Sequence, residues 1–214
     1  LDDAFELLAA AETATSWTSV AAMWAAVEGL LTRPGDPGIA AADRMASVVA
    51  GGFMRAELTQ LVDVLARGED ELAALLRSGE VPLTNKMDAL LRVLDGDQPP
   101  QVDSPTDAAA LARVRSLRAD PSAAMERVRG YYKDAFRRLY MQRNLLLHGG
   151  RFDSIALPAT MRTLPSLVAA GLDRLVHAAM QDPRTDPFDL SARADNEIAL
   201  LGSMEARALH RLLD

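Results

Sequence analysis

The chain has 214 residues, a formal net charge of −7 and no cysteine. That length suits one large helical domain. The negative charge argues against a generic nucleic-acid coat, and the missing thiols exclude a disulfide framework or a thiolate metal site. Alanine and leucine dominate while aromatics make up only 5%, so the expected class is all-α, a helical bundle over residues 1–214.

In chain order, a first helix is expected from Asp2 to about Glu12. Thr15 or Ser16 then caps a second, whose apolar positions Trp17, Val20, Ala21, Trp24, Val27 and Leu31 follow helical spacing. Trp17 and Trp24, seven apart, read as core anchors. The prolines and glycines of 33–38 stop this helix. A third begins near Ile39 and weakens at Gly51 and Gly52; a fourth covers about Met54 to Arg67 and ends at Gly68. Shorter helices are expected over about Glu69 to Arg77 and Thr84 to Leu94, the latter capped by Thr84. The polar, proline-rich stretch 95–105 is either a hinge between subdomains or a long connection, with the connection preferred and disorder expected there.

Helix resumes from about Thr106 to Arg118. Asp120 caps, and Pro121 opens, a long helix that runs to about Leu147 and stops at Gly149 and Gly150. Val128, Tyr132, Ala135, Leu139 and Leu146 mark its buried stripe; Arg129, Lys133 and Arg137 form a neighbouring basic row. A helix over about Thr160 to Gln181 and a terminal one over about Ser191 to Leu213 complete the chain, with no internal repeat.

The longest apolar run, Val20 to Val27, is far too short to span a membrane. The first residues show no basic-then-apolar pattern, so no leader peptide is expected, and the start at Leu1 suggests a fragment of a longer protein. A cytoplasmic, membrane-free protein is expected. Charge is unevenly spread. Residues 125–151 hold Arg127, Arg129, Lys133, Arg137, Arg138, Arg143 and Arg151 against Glu126 and Asp134, a net +5 that leaves −12 on the rest. A basic island in an acidic body suits a local anion site. Read without function, it is a solvated helix face.

At the end of the long helix stands Tyr140-Met-Gln-Arg-Asn-Leu-Leu-Leu-His-Gly-Gly150. Asn144 and His148 are four apart and share a helical face. Arg143 and His148 are five apart, roughly 140° around the axis. Their convergence needs a long arginine reach, unwinding near the glycines, or a second subunit, and the composite site is preferred. Imidazole moves protons near neutral pH, guanidinium grips phosphate with paired hydrogen bonds, and the carboxamide orients either. No carboxylate cluster accompanies them, so no metal or other cofactor is expected. The set suits metal-free cleavage of RNA by its own 2′-OH. His177 and His210 read as structural. Tyr131, Tyr132 and Tyr140 could stack on bases, although core packing is expected of at least one.

R-N-L-L-L-H resembles the R-x-x-x-x-H signature of HEPN domains in its variant with a polar residue after the arginine. The preceding tyrosine and following Gly-Gly are similar to those of many HEPN proteins. Trp24-Ala-Ala-Val-Glu28-Gly-Leu-Leu31, followed by Ile39 to Arg44, also resembles a pattern of bacterial HEPN domains. The resemblance covers roughly residues 17–152. It implies a helical, usually dimeric, metal-independent endoribonuclease of toxin–antitoxin, anti-phage or abortive-infection systems. Carried onto this chain, it implies Arg143 and His148 as catalytic pair and Asn144 as accessory. It makes Glu28 and Arg44 accessory positions, and Lys133, Arg137, Arg138, Tyr140 and Arg151 are the residues expected to meet RNA. Expected partners are RNA, a second copy, and a regulatory or sensor domain or a nucleotidyltransferase antitoxin. The alternative is a non-catalytic helical module that binds RNA or a partner and dimerises within a larger defence protein.

Overall fold

The computed structural model describes residues 1–13, 15–96, 100–150 and 154–213. These residues are predominantly helical, and no strand occurs among them. The expected all-α class is therefore the observed one. None of the helices among them is long and apolar enough to cross a membrane.

The helices are α1 (Asp2–Thr13), α2 (Ser16–Leu31), α3 (Ala40–Gly51), α4 (Phe53–Leu65), α5 (Glu71–Arg77), α6 (Leu83–Leu94), α7 (Pro105–Ala119), α8 (Pro121–Gly149), α9 (Leu157–Gln181) and α10 (Pro187–Ala199). A 3-10 turn follows at Leu209–Arg211. Local chemistry sets several of the ends. Asp70 caps α5 by accepting from the Ala73 amide at 2.7 Å, and Ser104 caps α7 by accepting from Thr106 at 3.2 Å. Asp120 accepts from the Ala123 amide at 3.1 Å, with Pro121 opening α8 where no backbone donor is needed. At the far end Gly150 takes φ +59°, the left-handed conformation that closes a helix.

Three expectations are corrected. Thr84 does not cap α6, because the helix already begins at Leu83 behind Pro82. Trp17 is 45% exposed: it lies in the first turn of α2, while the core begins at Val20. The terminal helix stops at Ala199 instead of reaching Leu213. Gly202 adopts φ +91° and turns the chain away, an option open to glycine that costs a helix its continuity.

Contacts gather in two compact units. The first comprises Leu1–Gly51, Glu126–Ile198 and Leu213. In it, Val20, Trp24, Val27 and Leu31 of α2 share a core with Met45 of α3, Phe136 and Leu139 of α8, and Leu164, Val168 and Leu172 of α9. Full burial of a side chain such as Phe136 stabilises by about 1.5–3 kcal/mol. The second comprises Gly52–Met125 and Ala199–Leu212, and the whole stretch 100–104 lies inside it. There α4 packs on α5, α6 and α7. Leu58, Leu61, Leu76, Met87, Leu90, Val114 and Leu117 are buried. Arg113 grips the nearly buried Glu57 with two hydrogen bonds of 2.9 Å, the geometry that makes guanidinium–carboxylate pairs strong.

Candidate active site on helix α8

α8 turns Ala135, Phe136, Leu139, Gln142 and Leu146 into the core, all less than a tenth exposed. On the opposite side Gly130, Asp134, Arg137, Met141, Asn144 and His148 succeed one another at steps of four and three, one continuous outward stripe. Met141 is 56% exposed within it, and His148 is exposed at its end. Val128 and Tyr132, expected in the buried stripe, are half-buried.

Arg143 lies on the flank between these faces. It donates to the Asn144 side-chain oxygen at 3.0 Å and to Glu28 of α2 at 3.2 Å. The pair is partly solvated, with side chains 22% and 33% exposed. Arg143, Asn144 and Glu28 are thus brought together. His148 is not part of that group, and its ring makes no hydrogen bond or ion pair among the described residues. The separation follows from the helix itself: α8 stays helical through Gly149, so the glycines do not unwind it and the roughly 140° between Arg143 and His148 persists.

Arg44 serves elsewhere. It donates to the Leu31 carbonyl at 2.7 Å, closing the end of α2, and pairs with Asp36. The hydrogen bond from Arg44, with another from the Arg33 backbone, holds the Asp36 carboxyl below its ordinary pKa. The guanidinium carbons of Arg44 and Arg33 lie 4.9 Å and 4.0 Å from the centre of the Phe188 ring, within cation–π range.

Much of the basic row is neutralised within the fold. Arg137 donates two hydrogen bonds to Asp43 of α3 at 2.8 and 2.7 Å, and these hold its pKa above the ordinary value. Arg129 is paired with Glu126 and, at 2.7 Å, with Asp195 of α10. Burial opposes its charge, and the two carboxylates outweigh burial, raising its pKa. Lys133 is half-buried and has no carboxylate partner among the described residues, while exposed Arg138 donates to the Asp134 carbonyl at 3.2 Å. Arg151 lies outside the described residues. Tyr140 packs inward: its ring centre is 5.1 Å from that of Trp24, and its hydroxyl rides over Gly38, where a Cβ would come within 2.8 Å. Tyr131, by contrast, is 70% exposed.

His210 is buried and bonds Asp88 at 2.9 Å, as a structural histidine would; His177 is half-buried on α9. The acids that hold the basic row, Asp43 and Asp195, escaped sequence reasoning because 94 and 66 positions separate them from their arginines. No local spacing signals such a pair. Among the described residues, no group of three or more His, Asp or Glu side chains is arranged to hold a metal ion. No family model, curated protein or solved structure matches the chain.

Proposed function

We propose that the chain is a metal-independent endoribonuclease of the HEPN type, acting as a homodimer in anti-phage defence or as a toxin. The supporting observation is the Arg143-Asn144-Leu-Leu-Leu-His148 segment at the solvent end of α8, where an exposed imidazole, without a partner among the described residues, and an oriented guanidinium occupy different flanks of an unbroken helix. One chain does not join them, whereas a second copy paired along the stripe containing exposed Met141 would supply the missing half. One His148 takes the proton from a ribose 2′-OH, whose oxygen bonds to phosphorus. The bond from phosphorus to the 5′-oxygen breaks, and the second His148 returns a proton to that oxygen. The ends formed are a 2′,3′-cyclic phosphate and a 5′-hydroxyl. Arg143, steered by Glu28 and Asn144, stabilises charge on the phosphorane.

Purified protein incubated with total RNA or tRNA in EDTA is expected to release fragments with these ends, and His148→Ala to release none. Cleavage that chelation abolishes, or that survives in His148→Ala, overturns this assignment. A second reading, a non-catalytic RNA- or partner-binding and dimerisation module of a larger defence protein, is favoured by one observation. Arg129, Arg137 and Arg143 are all engaged by carboxylates of their own chain. It expects no cleavage under any condition and unchanged dimerisation in Arg143→Ala.

A further inference from the structure

The cations of α8 do not fold into one surface. Arg129, Arg137 and Arg143 reach α10, α3 and α2, where Asp195, Asp43 and Glu28 hold them. Arg127 and Arg138 lie on another flank. They stand eleven positions apart. Helical pitch brings them within roughly 20° of each other around the axis, with Tyr131 between them in sequence and within roughly 40° of both. Arg127 is exposed and makes no hydrogen bond or ion pair among the described residues. Arg138 is exposed too, and among the described residues its side chain bonds only the Asp134 carbonyl of its own helix, at 3.2 Å. Tyr131 is 70% exposed, with neither a ring contact nor a hydrogen bond from its side chain among the described residues.

Two guanidiniums therefore keep their charge and most of their donors for something outside the chain. A phenol ring stands between them along roughly 16 Å of helix. Guanidinium grips phosphate oxygens with paired hydrogen bonds. An exposed ring offers a flat face on which an unpaired base stacks, whereas the bases of a duplex are already stacked on one another. Charge alone would suit an acidic protein equally well; a ring between the charges favours a strand in which phosphates alternate with bases. Asp134, exposed at the edge of this flank, opposes such a strand. We infer that Arg127, Tyr131 and Arg138 form a track for single-stranded RNA, with both guanidiniums on phosphates and Tyr131 beneath one base. The track rests on the RNA activity proposed above and supplies its binding surface, with His148 ten residues beyond Arg138 on the same helix.

The test is fluorescence anisotropy in EDTA with the full chain and a labelled 2′-O-methyl oligouridylate, which has no free 2′-OH and stays uncut. An abasic strand of the same length and charge is the comparison. Wild type is expected to bind the oligouridylate more tightly. Tyr131→Ala should weaken that strand about ten-fold, the loss of one stacked base, and leave the abasic strand unchanged. Arg127→Gln and Arg138→Gln should each weaken both strands and lower the slope of log affinity against log salt by about 0.7. Asp134→Asn should tighten both, and Arg162→Gln, at an exposed arginine of α9, should change neither. The track is overturned if wild type binds no strand, if Tyr131→Ala affects both strands alike or neither, or if the α8 arginine variants behave as Arg162→Gln does. Strand binding left intact in Tyr131→Ala, with self-association weakened in sedimentation, would make this flank a contact between copies instead. Binding of the uncut strand without cleavage of natural RNA would keep the track and remove the nuclease; cleavage with unchanged binding in all three variants would do the reverse.

Discussion

His148 is exposed and, among the described residues, its ring makes no hydrogen bond or ion pair, so on the proposed function its removal should separate chemistry from stability. His148→Ala is expected to stay within about 0.5 kcal/mol of wild type in urea denaturation while losing a hundredfold or more in RNA cleavage, the range of general acid–base catalysis. A large loss of stability would instead make the residue structural. Asp88 shows the opposite kind of role. Burial raises its pKa, but the hydrogen bond from Arg211 and the charges of His210 and Arg211 outweigh burial, and the net shift is downward from 3.8. A carboxylate with a depressed folded-state pKa adds stability that is present above its unfolded value. That stability is lost as pH falls through the folded one. Between pH 5 and pH 2, urea midpoints of wild type should therefore fall more steeply than those of Asp88→Asn; parallel curves would remove Asp88 from the account.

Between elements, close approach is enforced where side chains are absent. A Cβ on Gly171 of α9 would lie 3.2 Å from Met45 Cε and Val49 Cγ2 of α3, and closer still to the Met45 sulfur. Met45 is fully buried, so its thioether has nowhere to swing. Gly171→Ala should cost about 1–3 kcal/mol, the usual penalty for overpacking, measurable by denaturation with an unchanged helical spectrum. A neutral outcome would mean that α3 and α9 can separate at this crossing. The ion pairs of α8 work by another route: Arg137 to Asp43 ties α8 to α3, and Arg129 to Asp195 ties it to α10. Partly solvated pairs of this kind contribute on the order of 1 kcal/mol each. Their larger effect is to withdraw cations from solvent.

On the proposed function, that withdrawal bears on how the chain would meet RNA. Counted by sequence, the 125–151 island is strongly basic within a chain of net charge −7. Counted after folding, Arg129, Arg137 and Arg143 are already matched by acids of their own unit. On that proposal, RNA affinity should depend only weakly on salt. Asp43→Asn, which frees Arg137, is expected to steepen the slope of log affinity against log salt by about 0.7, one added single-strand phosphate contact. Equal slopes in fluorescence anisotropy would show that Arg137 does not face the nucleic acid.

The helices and most of their ends were readable from residue order alone, since capping and periodicity act over a single turn. Asp120-Pro121 opening α8 and Gly150 closing it are cases where the deciding atoms are neighbours in the chain. That Asn144 and His148 share a helical face was readable too, because helical pitch is a local constant. Sequence reading failed elsewhere: Thr84 does not cap α6, the terminal helix could not be limited to Ala199, and Trp17 could not be assigned to the surface. Which acid takes which arginine followed only once helices distant in sequence had packed. Periodicity reports which face of a helix is buried, whereas the partner pressed against that face depends on contacts that no short-range spacing encodes.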